Sequence, residues 1–398
     1  MPETNEQVPV PERPASTLES FLAWPFAAAS QIAHAHFRML ERLLPQTKTS
    51  PARQPSFPWS SPNRIALELP SMRLRNFSVG AEGPATLICA PYALHGATIA
   101  DFAPGHSVVE RLSQNGLSRI FVTDWRSATT EMRYTGIDNY LADLNVAVDE
   151  LGAPVDLIGL CQGGWLALVY AARFPKKVRR LVLVGAPIDI AAAKSSLSNF
   201  AADVPLTTFH ELVRLGEGIV HGQQMLGLWG MSHGPNEAEA TLQTGAITEA
   251  ARREELVERF RLWNAETVDL PGSFFLEVVE WLFKENRIAE GRFVALGQVV
   301  DLSELTAPIC LVAGSHDEVV SADQLFAVSR LVGTASEHLT KITEDCGHLS
   351  LFLGAEVLGR TWPRIARFLL RDFNEARRHS AREDTPSVGS RSIRKSVG

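Results

Sequence analysis

One segment constrains the fold more than any other, residues 156–170, which read DLIGLCQGGWLALVY. VDLIGL (155–160) is an apolar run of strand length, and the residues after it have the apolar spacing of a buried helix. The turn between them carries Cys161, with Gly159 two residues before it and Gly163 two residues after it. A strained strand–turn–helix of this kind needs glycine at both positions, because a Cβ would collide with the neighbouring strand or helix. The segment therefore predicts that Cys161 projects from the end of a strand at the N-terminus of a helix.

Strands and helices alternate on both sides of this turn, which predicts a mostly parallel sheet joined by right-handed crossovers. The predicted strands besides the one before Cys161 are 85–91, 119–125, 180–187, 308–314 and, more weakly, 339–343. The predicted helices are 107–116, GIDNYLADLNVAVDELG, 321–332 and LFLGAEVLGRTWPRIARFLLRDF. The chain is thus expected to be an α/β protein.

The alternation is interrupted once, by residues 190–300, which are mostly helical in pattern. We interpret them as a helical cap, or lid, inserted between two parts of the sheet domain, 64–189 and 301–374. Residues 1–63 are expected to be a leader, a helix and a Pro-rich linker, and the Arg/Ser-rich residues 375–398 a disordered tail. The cap is rich in large apolar residues, which are Leu226, Leu228, Trp229, Met231, Trp263, Phe274, Phe275, Trp281 and Phe283.

Composition narrows the function classes. The net charge of −7 gives no bulk attraction to nucleic acid. The four cysteines lie far apart without a CxxC pair, so neither a disulfide framework, a zinc site nor any other metal site is expected, and Cys89, Cys310 and Cys346 are predicted to be structural thiols.

There is no signal-peptide pattern and no uncharged apolar run of the roughly 18 residues that span a membrane, so a cytoplasmic protein is expected. The helix predicted at 17–44 is expected to pack on the domain, bind a partner or lie on an apolar surface.

A cysteine on such a turn needs a base and an orienting acid, which in this chain order follow it as acid and then histidine. Asp317 comes directly after the strand at 308–314, and His348 directly before the last helix. They are the predicted partners of Cys161 in a catalytic triad. The residues that compete for these roles are Asp124, Asp189 and Asp345 as the acid and His316 as the base.

Two backbone N–H groups are expected to bind the oxyanion that forms during acyl transfer. One belongs to Gln162, directly after the nucleophile. The other is assigned to Leu94, in the loop after the first clear strand. His95 in that loop is expected to be structural or to line the substrate site. A cysteine nucleophile can accept an acyl group from a thioester or hydrolyse an ester, so the residue type alone leaves both chemistries open.

Several stretches resemble polyhydroxyalkanoate synthases. Their box Gly-x-Cys-x-Gly-Gly matches GLCQGG, and the resemblance covers about residues 84–370. It is most specific at WNAETVDLPGSFF (263–275) and in the run FKENRIAEGRFVALGQVVDLSELTAPICLVAGSHDEVV. The resemblance implies an α/β-hydrolase fold with Cys161 acylated, His348 as base, and Asp317 orienting His348 or helping to deprotonate the incoming hydroxyl.

The resemblance also implies the reactants and partners. The substrates would be a 3-hydroxyacyl-CoA and a growing polyester chain, with CoA entering as a thioester substrate and without a separate cofactor. A homodimer, a partner subunit and attachment to the surface of storage granules are further expectations. Some apolar residues of the cap would line a tunnel for the acyl chain, since a lid over the nucleophile excludes water and favours transfer.

Three departures from the family pattern keep other functions open. Glu318 begins Glu-Val-Val-Ser-Ala where the family has His-Ile-Val-Pro-Trp, His95 replaces a common Asn, and Trp165 replaces a common Thr. Intracellular polyhydroxybutyrate depolymerases share the cysteine turn, although they usually lack the second glycine, Gly164. The second hypothesis is therefore a depolymerase or esterase that uses the same triad. A third is a non-catalytic granule-coating protein, and a dienelactone-hydrolase-like enzyme fits poorly because of the cap.

Overall fold

A computed structural model describes residues 57–229, 235–245 and 249–371 of the chain. Its centre is a sheet of eight strands. The strands are β1 (Arg64–Glu68), β2 (Met72–Asn76), β3 (Thr86–Cys89), β4 (Ile120–Trp125), β5 (Val155–Leu160), β6 (Val178–Val184), β7 (Ile309–Gly314) and β8 (Leu339–Glu344).

The spatial order of the strands is β1-β2-β4-β3-β5-β6-β7-β8. The pairs β1/β2 and β2/β4 are antiparallel, and the five pairs from β4 to β8 are parallel. The predicted parallel sheet is therefore correct for most strands, with an antiparallel β1–β2 hairpin added at one edge. Strands β3, β5 and β7 are buried throughout because helices cover both faces, which explains why they read as unbroken apolar runs.

The helices that cover the sheet come from the two parts of the chain on either side of the cap. In the first part they are α1 (Val108–Gln114), α2 (Ile137–Leu151) and α3 (Gln162–Arg173). The cap region contains α4 (Ser196–Asp203), α5 (Leu206–Leu215), α6 (Gly222–Trp229), α7 (Pro235–Leu242), α8 (Ala250–Ala265), α9 (Gly272–Glu277) and a π-helix (Val278–Lys284). The second part contains α10 (Ala322–Phe326), α11 (Val328–Leu331), α12 (Ser350–Leu353), α13 (Ala355–Arg360) and α14, which covers 362–371.

Three two-stranded ribbons and five short 3₁₀ turns complete the described structure. The ribbons pair Asp101–Ala103 with His106–Ser107, Ile219–Val220 with Leu270–Pro271, and Val294–Ala295 with Gln298–Val299. The 3₁₀ turns are Ala97–Ala100, Thr130–Met132, Pro175–Lys177, Leu302–Glu304 and Ser336–His338. Within the described ranges, no helix combines the length and the apolar composition needed to cross a membrane.

The last predicted helix is broken into three pieces for local reasons. Gly354 is extended between α12 and α13, and a Cβ there would lie 2.4 Å from the Gln243 side-chain oxygen. The chain breaks again at Thr361, and Pro363 lies in the first turn of α14, where its missing N–H is not needed. The helix predicted at 321–332 is likewise split, into α10 and α11. The helix predicted at 17–44 and the tail predicted at 375–398 lie outside the described residues.

Candidate active site

Cys161 lies on a strained turn between β5 and α3. Its backbone has φ 49° and ψ −120°, a conformation with positive φ that is uncommon for any residue with a side chain. The Cys161 N–H donates to the Val184 carbonyl of β6 at 2.9 Å, and the Cys161 carbonyl accepts the Gly164 N–H at 2.8 Å. The first bond anchors the turn to β6 and the second joins it to the start of α3, so that the half-buried thiol projects from the carboxyl end of the sheet. Backbone strain of this kind is concentrated at functional sites.

The glycines around Cys161 are required by close backbone approach. A Cβ on Gly159 would lie 2.5 Å from the Gly164 Cα, and a Cβ on Gly163 would lie 2.2 Å from the Cys89 carbonyl oxygen. A Cβ on Gly164 would lie 2.3 Å from the Ala186 Cβ. The structure thus shows the physical basis expected for Gly159 and Gly163, and it extends the same constraint to Gly164.

Three of the predicted residues lie together at this turn. His348 Nε2 is 3.1 Å from Cys161 Sγ, and His348 Nδ1 is 2.7 Å from Asp317 Oδ2. The other oxygen of Asp317, Oδ1, accepts the backbone N–H groups of Val319 at 2.9 Å and Val320 at 2.8 Å. Both carboxylate oxygens are therefore bonded, which holds the ring of His348 with one nitrogen directed at the thiol.

The electrostatics of His348 favour its protonated form. Burial by itself lowers the pKa of His348, but the Asp317 carboxylate and Cys161 outweigh it and raise the pKa well above its ordinary value. A histidine with a raised pKa is a stronger base toward a neighbouring thiol. Transfer of the thiol proton to His348 gives a thiolate, which is the nucleophilic form of cysteine.

The competing acids and the competing base are engaged elsewhere. Asp124 pairs with Arg75 at 2.8 Å. Asp189 is buried and binds an asparagine and an arginine side chain. Asp345 and His316 pair with each other at 2.8 Å and are both exposed. None of these residues hydrogen-bonds His348 in the described structure, so geometry favours Asp317 and His348.

The two predicted oxyanion donors both line the cavity above Cys161. Gln162 is the first residue of α3, where a backbone N–H has no acceptor within the helix. Its side-chain oxygen accepts the indole N–H of Trp165 at 2.6 Å, and Trp165 is 1% exposed. Leu94 lies in the loop after β3, and its carbonyl accepts the Val268 N–H at 2.9 Å, which ties that loop to the cap. The sequence marks Trp165 only as a departure from a family pattern and does not indicate this contact.

His95 contacts the cap rather than the thiol. Its Nδ1 lies 3.1 Å from the Glu266 carbonyl oxygen, and its ring centre is 4.3 Å from that of Trp263. It also lines the cavity. These contacts agree with the structural or substrate-lining role expected from the sequence.

A cavity of about 650 Å³ opens above Cys161, and residues of the cap form about half of its lining. Its volume is that of a site for a small organic ligand. Of the predicted cap residues, Phe274, Phe275 and Phe283 line it, whereas Trp263 and Trp281 pack elsewhere. The side chains of Leu228, Trp229 and Met231 lie outside the described residues. The other lining residues are Pro91, Tyr92, Ala93, Ile99, Leu197, Phe200, Ala201, Phe209, Met225, Glu237, Ala240, Thr241, Leu270, Val278, Val279, His316, Glu318, Val319, Gly347, Leu349 and Ser350.

The remaining cysteines have the properties of structural thiols. Burial raises the pKa of Cys89, of Cys310 and of Cys346 to about 12, so they stay protonated at neutral pH. No cluster of three or more histidine, cysteine or carboxylate side chains suited to a metal ion occurs among the described residues.

The fold and the cysteine turn define a class of protein. The family model of the alpha/beta hydrolase fold matches residues 101–355, and the chain belongs to that family. Among solved structures, the monoacylglycerol lipase of Paleococcus ferrophilus superposes with a TM-score of 0.51 at 14% identity, covering 75% of this chain and 98% of the lipase, which supports the fold alone. The predicted fold class is confirmed.

Within this class, most of the curated relatives are poly(3-hydroxyalkanoate) polymerases, while a 2-hydroxy-6-oxo-2,4-heptadienoate hydrolase of Pseudomonas putida is 34% identical over 113 residues, which cover 27% of this chain. The poly(3-hydroxyalkanoate) polymerase subunit PhaC of Haloferax mediterranei is 24% identical over 337 residues, which cover 82% of this chain and 66% of that protein. The subunit of the same name from Allochromatium vinosum is 24% identical over 288 residues, which cover 68% of this chain and 76% of that protein. The chain thus spans just under two thirds of the length of the first relative. The predicted relationship to polyhydroxyalkanoate synthases is confirmed.

Proposed function

We propose that this chain is a polyester-forming acyltransferase that uses 3-hydroxyacyl-CoA thioesters, with Cys161, His348 and Asp317 as its catalytic triad. The observation that carries the proposal is the 3.1 Å contact between Cys161 Sγ and His348 Nε2 at the base of a capped, mainly apolar cavity. The names of the curated relatives supply the reaction class. CoA takes part as a substrate, and the triad chemistry needs no separate cofactor.

In the acylation step, the thiol proton of Cys161 moves to His348 Nε2, and the thiolate attacks the thioester carbonyl. The negative charge that develops on the carbonyl oxygen is held by the N–H groups of Gln162 and Leu94. When the intermediate collapses, the carbon–sulfur bond to CoA breaks, and the leaving thiolate takes the proton from His348. One thioester has replaced another, so the step has little thermodynamic cost.

In the transfer step, the 3-hydroxyl of another monomer or chain attacks the acylated Cys161. His348 accepts the hydroxyl proton, and Asp317 stabilises the imidazolium that results. An ester bond forms as the carbon–sulfur bond to Cys161 breaks, and the thiolate regains a proton from His348. The apolar residues of the cavity support this role, because a competing water molecule finds few hydrogen-bond partners there.

The competing proposal is hydrolysis through the same triad, as in an intracellular depolymerase or esterase. Water then performs the second attack. The aromatic wall of Phe274, Phe275 and Phe283 over the cavity favours transfer over hydrolysis. The homodimer, the partner subunit, the cytoplasmic location and the granule surface expected from the family resemblance are further proposals for this chain.

The test measures release of free CoA from 3-hydroxybutyryl-CoA and 3-hydroxydecanoyl-CoA, together with the polymer formed. The wild type is expected to release CoA and form polymer, and Cys161→Ala is expected to do neither. Cys310→Ala serves as the matched control, since it removes a buried thiol from β7, away from the cavity lining, and should retain both activities. Soluble 3-hydroxybutyrate from amorphous polymer, without CoA turnover, would show the depolymerase. Binding to granules without either activity would show the non-catalytic coat protein.

A further inference from the structure

The cavity above Cys161 is lined by two chemically different groups of residues. One group consists of buried apolar side chains of the cap, which we call the apolar sleeve. The sleeve consists of Leu197, Ala201, Phe209, Phe275, Val278 and Val279. The other group consists of the exposed polar residues Glu237, His316 and Glu318. A ligand bonded to Cys161 can therefore contact both apolar and polar side chains within the same cavity.

The wall of the sleeve is held in place by contacts within the cap. Lys284 Nζ, at the end of the π-helix, donates to the carbonyls of Ala201 at 2.6 Å and Val204 at 2.7 Å, which ties α4 to the π-helix. The ring of Phe209 packs edge-on against Phe275, with their centres 5.9 Å apart. The width of the sleeve is therefore a preset property of the folded cap.

The volume of the cavity exceeds the needs of a short acyl group. At about 30 Å³ for each water-sized group, 650 Å³ holds roughly twenty such groups. A 3-hydroxybutyryl group has only about six heavy atoms on this scale and would leave most of the apolar surface uncovered. A chain of about ten carbons fills the sleeve and leaves space for the thioester and the near end of the pantetheine arm.

Resting on the proposed function, we propose that the apolar sleeve binds acyl chains of medium length, about eight to twelve carbons, and selects them over short chains. The hydrocarbon tail of the acyl group lies among the sleeve residues. Ala201 is the residue that determines specificity, because it is the smallest side chain of the sleeve and leaves the space that a long tail occupies.

The experiment follows the acylation of Cys161 with p-nitrophenyl butyrate and p-nitrophenyl decanoate. In each case the sulfur–acyl bond forms, the ester carbon–oxygen bond breaks, and p-nitrophenolate is released and measured as a burst. Decanoate carries six more methylenes than butyrate, and each buried methylene raises the acylation rate constant divided by Kd about fourfold, so burial of only half of them gives roughly 60-fold. Decanoate is therefore expected to react at least about 50-fold faster than butyrate by this measure. Butyrate reacting as fast as decanoate would overturn the proposal.

A matched pair of variants locates the selectivity. Ala201→Leu fills the sleeve and is expected to lower the decanoate rate at least about tenfold while changing the butyrate rate less than about twofold. Ala202→Leu makes the same change at the next residue of α4, which is exposed, and should leave both rates unchanged. Equal losses for both esters in a folded Ala201→Leu would contradict the proposal. If that variant does not fold, Phe275→Leu tests the sleeve by enlarging it. The preferred ester should then shift from decanoate toward dodecanoate or tetradecanoate, and an unchanged preference would contradict the proposal.

This assay separates the two proposals. Both the acyltransferase and the hydrolase acylate Cys161, so the ester preference reports the sleeve in either case. Chain-length selection without polymer from 3-hydroxydecanoyl-CoA would refute the proposed function and leave the sleeve intact. Polymer formed preferentially from 3-hydroxybutyryl-CoA would refute the sleeve and support the proposed function.

Discussion

The contact between Gly164 and Ala186 allows a sharp test of how the cysteine turn is held. A Cβ on Gly164 would lie 2.3 Å from the Ala186 Cβ, while its next neighbours, the Ala186 Cα and the Gly159 carbonyl oxygen, would both be 3.5 Å away. Two carbons prefer a separation of about 3.5–4.0 Å, so Gly164→Ala forces α3 and the loop after β6 apart by more than about 1 Å. In the double variant Gly164→Ala/Ala186→Gly, the remaining contacts are of ordinary length.

The magnitudes follow from these distances. Overpacking of this size costs about 1–3 kcal/mol of stability. Ala186→Gly alone loses about 0.8 kcal/mol for the methyl group and a further ~0.5–1 kcal/mol of backbone entropy. The double variant escapes the overpacking, so the two substitutions should be coupled favourably by about 1–3 kcal/mol. Because α3 also carries the Gln162 N–H, a shift of about 1 Å should lower the acylation rate of Gly164→Ala roughly 100-fold, and the second substitution should restore most of it.

The assay is urea unfolding of the four proteins of the cycle, followed by tryptophan fluorescence, with the acylation burst measured on each. Gly359→Ala is the control, since a Cβ there meets no atom within 4 Å, and in helix α13 it should be neutral or stabilising by up to about 1 kcal/mol. Coupling below about 0.5 kcal/mol, or a double variant as slow as Gly164→Ala, would refute the packing argument.

Three further substitutions test the site and the cap. Asp317→Asn removes the carboxylate that raises the pKa of His348. In the wild type, protonated His348 contributes to the free energy of unfolding, and because its folded pKa is raised, this contribution is complete below about pH 6.5 and is lost as the pH rises through the folded pKa. The gap in urea midpoint between wild type and this variant should therefore be larger near about pH 6 than near about pH 9.5, and equal gaps would contradict the assignment. Trp165→Phe removes the N–H that binds Gln162 and shortens a buried side chain, so it should lower the unfolding midpoint and also lower the acylation rate about tenfold. An unchanged rate in the folded variant would make that bond irrelevant to catalysis. Lys284→Met removes two hydrogen bonds within the cap and should lower the ratio of decanoate to butyrate acylation, and a constant ratio would show that the bonds do not set the sleeve width.

The sequence predicts the sheet and the nucleophile well because both depend on local patterns. The strands are short apolar runs, and the turn around Cys161 needs glycines at defined spacings, which the close approach at Gly159 and Gly163 explains. The order nucleophile, acid, histidine then narrows the partners. It leaves Asp189 open beside Asp317, because both follow a strand at the same edge of the sheet.

The contacts that separate those two acids come from distant parts of the chain. Asp189 is bound by Asn286 of the cap and by Arg330 of α11, and neither pairing has a signature in the spacing of residues. The bond between Trp165 and Gln162 and the cap ties made by Lys284 are hidden for the same reason. Periodicity predicts that a side chain is buried, but the partner it meets is determined by tertiary packing.

The cavity determines which reaction a cysteine nucleophile favours at this site. A thiolate beside the imidazolium of His348 is a good nucleophile for a thioester, and the acyl-cysteine that follows is reactive toward any hydroxyl that reaches it. Water and a 3-hydroxyl differ in what they carry, because only the hydroxyl brings an acyl chain, and burying part of that chain in the apolar cavity beside the acylated Cys161 lowers the free energy of the encounter. Selection of the acyl chain and selection against water then both depend on the apolar volume of this cavity. Narrowing the sleeve through Ala201→Leu should consequently raise the fraction of acyl-enzyme lost to water as it slows acylation by long chains.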